Sequence, residues 1–467
     1  MLRILSSTKS RSGGNILLLR NSESGRDSLH CVPANSEVRS SGASWQRWLT
    51  VHLREFMKLS SITAIAALLY ASGVSAEEVD VADAPMFTFN AFGTFGVAHS
   101  SEDQADLRTG LRAEGAGFTD EWSSAVDSLI AGQVNANFTP KLSAVLQIVL
   151  EPNHEGNYDP HVEWANIKYQ FTPDFSVRIG RTVLAVFQLS ETRKVGFTYP
   201  WVRPPLELYQ LNPVTINDGV DASYRLHFGQ WTHTPQLRVG HSKTKLPQNG
   251  GTADATDVWG ISNTSEIGSL TAHFAYVRTK ITLASFDPLF DGFRQFGPRG
   301  VAIADENAVR DSPSTFVGVG ASYDPGKWFT MAEWGRFSSD SVLGTRTAWY
   351  LSGGYRFGKF TPYLTYAKAT ADKLTDPGLN VSALPPFLAG PATALNAGLN
   401  TILSQKPVES TVSFGARWDI SSNVDIKLQF DHMRVGDGSI GVLTNVQPGF
   451  PLGPEVNVFS ATIDFVF

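Results

Sequence analysis

The chain has 467 residues, 38 Lys and Arg against 44 Asp and Glu, and one cysteine, Cys31. That length allows one large domain or up to three ordinary ones, the acidic balance argues against nucleic acid as a partner, and a lone cysteine excludes a disulfide framework. No run of about 18 uninterrupted apolar residues occurs, which argues against a helical membrane protein, and 41 glycines with 11% aromatics suit strands and turns.

The first patterned element is internal. In "MKLSSITAIAALLYASGVSAEEVD", Met57 and Lys58 make a short positive start, Ile62 to Leu69 an apolar stretch, and Val74-Ser75-Ala76 a small-x-small cleavage site. This is the form of a secretory signal peptide. Residues 1–56, Ser- and Arg-rich and unpatterned, are expected to be an upstream extension, 57–76 the signal, and 77–467 the mature domain. The alternative is that 62–69 belongs to a buried helix of a real N-terminal domain. Beyond Ala76 the chain carries 29 Lys and Arg and 40 Asp and Glu, a net of −11, and no cysteine.

From Phe87 onward the pattern is strand, turn, strand, long loop. Sixteen strands are predicted, at 87–99, 128–138, 142–150, 162–171, 175–182, 219–228, 231–242, 257–267, 269–280, 315–324, 328–338, 345–357, 361–370, 410–420, 423–435 and 456–467. Their residues alternate with period two. In "VDIKLQFD", Val424, Ile426, Leu428 and Phe430 oppose Asp425, Lys427, Gln429 and Asp431. In the final "EVNVFSATIDFVF", Phe459, Ala461, Ile463, Phe465 and Phe467 share one face.

Seven connections are tight, among them "TPD" at 172, "GQ" at 229, "GS" at 268 and "DPGK" at 324. Gly and Pro-Asp chemistry is what short hairpins need. They alternate strictly with longer connections. All tight turns then fall at one end, and an even strand count lets the last strand pair antiparallel with the first. Closure removes sheet edges, which lipid does not tolerate. The fold class is all-β: a transmembrane antiparallel β-barrel of about sixteen strands, with short periplasmic turns and long extracellular loops. Aromatic residues near the tight turns (Tyr169, Phe171 and Phe175; Tyr323 and Trp328; Tyr355, Phe357 and Phe360) suit a membrane interface.

On its Phe-ended last strand, the first strand "FNAFGTFGVAHS", the strand count and the loop order, the chain from about residue 86 resembles the Gram-negative outer-membrane porins. That resemblance implies a water-filled channel in the bacterial outer membrane for passive diffusion of small hydrophilic solutes and ions, with no enzymatic activity and no cofactor. It implies contact with outer-membrane lipid and lipopolysaccharide, reading of the terminal Phe467 by the barrel-assembly machinery, and a homotrimer.

The third long connection, Val183 to Asp218, is expected to fold inward and narrow the pore, as the corresponding loop does in porin-like barrels. Its Pro200, Pro204, Pro205 and Pro213 limit its freedom, and aromatics are interleaved with charges. The constriction candidates are Glu191, Arg193, Lys194, Tyr199, Arg203 and Glu207. By strand parity Lys168, Arg178, Arg225 and Arg238 fall on the lumen wall of strands 4 to 7, where Glu191 and Glu207 opposite them would set up a transverse field. A substrate-selective channel, with the aromatic loop as a stacking site, and a non-conducting structural or adhesin barrel are the alternatives. The histidines are scattered without zinc-site spacing, and no Ser/His pair stands out as catalytic.

Overall fold

The structure is a computed structural model that describes residues 7–9, 15–17, 85–212, 214–247 and 250–467. The chain divides into two units, Met1–Asp83 and Ala84–Phe467. The segment read as a signal peptide lies outside the described residues.

The second unit is one closed antiparallel barrel. Its sixteen strands are β1 Phe87–Ser100, β2 Leu129–Thr139, β3 Leu142–Leu150, β4 His161–Gln170, β5 Phe175–Val183, β6 Ile216–Tyr224 (continued by Leu226–Phe228), β7 Trp231–Lys245, β8 Thr252–Ile267, β9 Leu270–Leu283, β10 Ser312–Tyr323, β11 Trp328–Ser339, β12 Thr345–Tyr355, β13 Phe360–Ala371, β14 Glu409–Asp419, β15 Val424–Val435 and β16 Glu455–Val466. All sixteen expected strands are present. The largest difference is at the start of β8, which begins at Thr252 beyond an irregularity in its pairing between Thr256 and Trp259.

β16 closes the barrel on β1, from Val458 opposite Ser100 to Val466 opposite Phe92. The last residue is held too: the Phe467 amide donates to the Ala91 carbonyl at 2.7 Å, and the Ala91 amide donates back at 2.9 Å. Two-residue turns at Gly229 and Gly268 place those glycines at φ of 61° and 54°, where a side chain would be strained.

The outward face follows the alternation. Phe459, Ile463 and Phe467 are exposed, as are Leu428 and Phe414. Aromatic pairs cluster near the short turns, Tyr169 with Phe171 at 4.7 Å and Tyr323 with Trp328 at 5.4 Å. The inward face departs from a uniform water-bathed lining. Asp425, Lys427 and Asp464 are fully buried, and the inward face of β8 to β12 carries an apolar patch of Val258, Val277, Phe316, Phe337 and Tyr350 among polar positions such as Glu333 and Ser352. Both departures have one cause, a loop inside the barrel.

Three helices that the alternation did not reveal lie in the outer loops. Taking the four-residue turn Leu206–Tyr209 as α1, these are α2 Asp287–Arg294, α3 Gly297–Asn307 and α4 Pro386–Ser404. Their apolar residues Phe290, Phe293, Ile303 and Leu399 join the core on the β8–β13 side. α2 and α4 approach closely at glycines, where a Cβ on Gly292 would stand 2.8 Å from Leu395 and one on Gly398 2.9 Å from Leu289.

Candidate functional site

The third loop, between Val183 and Ile216, folds into the lumen. Its Leu184, Val186, Phe187, Trp201, Leu208 and Leu211 are buried against the apolar inner wall. Phe187 meets Phe316 edge-on at 5.2 Å and Trp201 meets Tyr350 at 5.6 Å. At about 25 cal/mol per Å² of apolar area buried, these side chains are the main force that holds the loop inside.

A buried loop must still satisfy its backbone, and inward polar side chains of the wall do this. Arg417 donates to the Phe197 carbonyl at 2.6 Å, Lys427 to the Gly196 carbonyl at 2.6 Å, and the Val202 amide donates to Gln429 at 3.1 Å. The Gln188 amide donates to Glu333 Oε1 at 2.8 Å, while the hydroxyls of Tyr209 and Tyr350 donate to Glu333 Oε2 at 3.0 and 3.2 Å. Gly196 passes so near the wall that a Cβ there would stand 2.0 Å from Asp464 Oδ1 and 2.7 Å from Thr94 Oγ1. The polar parity of β11, β14, β15 and β16 thus serves the loop rather than water.

The six loop residues singled out by sequence fall into two groups. Glu191, Arg193 and Lys194 face the wall of β3 to β5. Glu191 accepts from Arg178 at 3.2 Å, Arg193 pairs with Glu163 at 3.2 Å, and Lys194 pairs with Glu151. Burial would raise the Glu151 carboxyl, but Lys194 and Arg112 outweigh it and hold the group down at about 2. Tyr199, Arg203 and Glu207 are buried instead. Tyr199 is covered by Trp201 and Lys427. Arg203 forks to Asp127 at 2.8 and 2.6 Å and reaches Asp431 at 3.2 Å. Burial alone would depress the Arg203 guanidinium, and the Asp127 and Asp431 charges more than restore it.

Glu207 does not face the four wall bases. It sits beside Thr411 and Glu409 of β14, where burial raises its carboxyl to about 7. The expected transverse field therefore has Glu191 on the loop but not Glu207. The chain had already turned toward β14 at Pro204 and Pro205, which strand parity alone does not reveal.

Among the wall bases, Lys168, Arg178 and Arg238 share one register row, with Asp221 between the last two: Lys168 pairs Arg178, Arg178 pairs Asp221, and Asp221 pairs Arg238. Arg178 bonds Asp221 at 2.9 Å and bridges to Glu191. Arg238 is buried, donating to Gln236 and Ser262 at 2.8 and 3.1 Å. Arg225 lies apart, exposed at the short-turn end, where the strand breaks after Tyr224 and its amide donates to the Asp174 carbonyl. Sequence reasoning missed Asp127, Glu163, Glu333 and Asp464. Each was one more inward polar residue, and only the loop's path shows which of them it meets.

The loop fills the β8–β16 side and leaves a cavity of about 730 Å³ on the other, bounded by Arg193, Lys194 and Arg203 of the loop and by Glu151, Glu163 and Arg181 of the wall. Eight Lys and Arg and five Asp and Glu line it.

A closed barrel with lipid-facing aromatics, short turns at one end, long loops at the other and a charged cavity beside an inward loop defines an outer-membrane channel. A family profile described as Gram-negative porin matches residues 61–438, and the chain belongs to that family. It is an outer-membrane multi-pass β-barrel for passive diffusion. No curated protein matches the chain. Among solved structures it is similar to an anion-selective porin from Comamonas acidovorans (13% identity, covering 82% of this chain and 99% of that one, TM-score 0.49). It is also similar to OmpF of Salmonella typhi (11%, 82% and 97%, TM-score 0.47) and to OmpT of Vibrio cholerae (10%, 82% and 99%, TM-score 0.46).

Proposed function

We propose that small hydrophilic solutes pass on the β3–β7 side of the lumen, between the wall and the 191–194 stretch of the inward loop, with a modest preference for anions. The observation that carries this reading is the charge lining of the cavity, eight bases against five carboxylates, beside a loop whose aromatic residues are packed away. Charges in a narrow, low-dielectric passage bias which ions enter, while the net charge of the whole chain includes carboxylates on outer loops. Arg193 and Lys194 line the cavity of the route, and Glu191, Arg178 and Lys168 continue the charged wall beside it. Tyr199, Arg203, Glu207 and Arg238 hold the loop and wall in place, and Arg225 acts at the periplasmic mouth. With Phe187, Tyr199 and Trp201 buried, aromatic stacking of a substrate has no support. The protein moves solutes down their gradient and catalyses nothing.

Family membership supports a homotrimer embedded in outer-membrane lipid and lipopolysaccharide, assembled through recognition of Phe467. Residues 57–76 act as the signal peptide and 1–56 as an extension absent from the working protein. Planar-bilayer recording in a salt gradient tests the reading. Current steps in multiples of three and a reversal potential on the anion side are expected; a cation-side reversal would contradict the assignment of the lining.

A further inference from the structure

The cavity beside the inward loop is lined by eight Lys and Arg, and seven of them end on a carboxylate within 4.0 Å. Arg112 reaches Glu151 at 3.0 Å, Arg193 reaches Glu163 at 3.2 Å and Arg181 reaches Asp218 at 2.7 Å. Arg108 is the exception. It lies on the first outer loop, between β1 and β2, and among the described residues it forms no ion pair. Asp106, the acid whose charge acts on it, is engaged elsewhere. Its Oδ1 accepts the Thr119 amide at 2.8 Å, and its Oδ2 accepts the Thr119 hydroxyl at 2.5 Å and the Asn445 side-chain amide at 2.9 Å. Arg108 is half-buried, and burial outweighs Asp106 and lowers the guanidinium to about 10, so it is still charged at neutral pH. Its Nη1 donates to the Arg112 carbonyl. Nε and Nη2 make no hydrogen bond among the described residues and stay open to solvent. A charge drawn partly out of water with free donors wants a partner, and the described residues do not supply one. The backbone around it is fixed. The Gln210 side-chain amide of the inward loop donates to the Arg108 carbonyl at 2.9 Å, and Arg112 donates to the Ala125 carbonyl at 2.6 Å.

We propose that Arg108 docks the carboxylate or phosphate group of a solute entering from the outer mouth, so that the channel favours small organic acids or phosphate esters over neutral solutes of equal size. This rests on the anion-passing route proposed above and names its solute class. Nε and Nη2 form one edge of the guanidinium, the fork that holds two oxygens of a single oxyanion. The cavity of about 730 Å³ gives the rest of such a solute room beside it. The seven paired bases add to the field, but each already faces a carboxylate, so one anionic group is held at a time. The loop is fixed before the solute arrives, which lowers the cost of ordering it. A single fork on a half-exposed loop also lets the solute leave again, as conduction requires.

The test is planar-bilayer recording of chloride current through protein purified from outer membranes, while inorganic phosphate or succinate is added. Each anion should reduce the current saturably, and the one that blocks at lower concentration tells phosphate esters from organic acids. Arg108→Gln should raise both half-blocking concentrations at least about fivefold, as loss of a charged fork requires. Arg108→Lys keeps the charge without the fork and should fall between Gln and native. Arg434→Gln, at an exposed base paired with Glu455, should match native. Heat-dependent gel mobility checks that each variant is folded. No block of the native channel by either anion, or block that Arg108→Gln retains in full, would overturn the docking point. The reversal potential of the native protein in simple salt reads the anion preference of the route separately, and it can stand on the anion side while the docking point fails.

Discussion

Arg203 on the inward loop and Asp127 just before β2 are joined by two hydrogen bonds, 2.8 and 2.6 Å, and both side chains are buried. This fork fixes the far end of the loop, and Asp431 and Ser460 take the rest of the guanidinium at 3.2 and 2.6 Å. Removing one partner of such a pair leaves an uncompensated buried charge, a loss of about 3–5 kcal/mol. Arg203→Ala should therefore lower folding stability by that order in denaturant titrations of detergent-folded protein. It should also raise open-channel noise, since the loop is cut from its anchor.

Glu333 is the second anchor. It accepts the Gln188 amide and the hydroxyls of Tyr209 and Tyr350. Glu333→Ala strands three donors, Tyr350 buried and Gln188 and Tyr209 half-buried, at about 1–3 kcal/mol for the fully buried one before relaxation and less for the others. Glu333→Gln keeps one carbonyl acceptor and should be the milder change. The order Ala below Gln below native, read as unfolding midpoint, is the expected result.

At Gly196 the requirement is space, not backbone angle. A side chain there collides with Asp464 and Thr94. Gly196→Val should push the loop off the β1/β16 wall, raising single-channel conductance while the barrel still forms, as checked by its heat-dependent gel mobility.

Glu207 gives the loop a pH dependence of known sign. Burial raises its carboxyl from the ordinary 4.5 to about 7, so the docked loop binds the proton more tightly than the free one. Docking is then favoured most below about 4.5 and weakens as pH rises through about 7. Channel noise should increase over that window, and Glu207→Gln should flatten the response.

Exchange of Arg193 and Lys194 for Gln leaves Glu163 and Glu151 without their loop partners in the cavity. The reversal potential in a salt gradient should move toward cation preference relative to native.

The barrel was legible because period-two alternation and turn chemistry are local. Every strand from Phe87 to Phe467 carries its own signal. So was the inward course of the loop, marked by its prolines and aromatics and by family likeness. What strand parity could not convey is what faces an inward residue. Lys427 and Gln429 look like lumen lining in sequence, but they bond the loop backbone at Gly196 and Val202. Phe316 and Tyr350 are inward aromatic residues whose partners, Phe187 and Trp201, only the loop's path supplies. The same limit misplaced Glu207, whose neighbours belong to a strand some two hundred residues further on. The loop helices escaped notice because their apolar faces pack on one another and on the wall, and no strand-like period marks them.

The inward loop divides the lumen, and the proposed passage lies on one side of it. Residues 77–467 contain no cysteine, so single cysteines report cleanly. Arg181 lines the open cavity, while Ser352 lies under Trp201, which donates to it at 2.8 Å. A charged thiol reagent added during bilayer recording should cut the current through Arg181→Cys at once and leave Ser352→Cys unchanged. Equal block at both positions, or no current from the native protein, would contradict a one-sided passage.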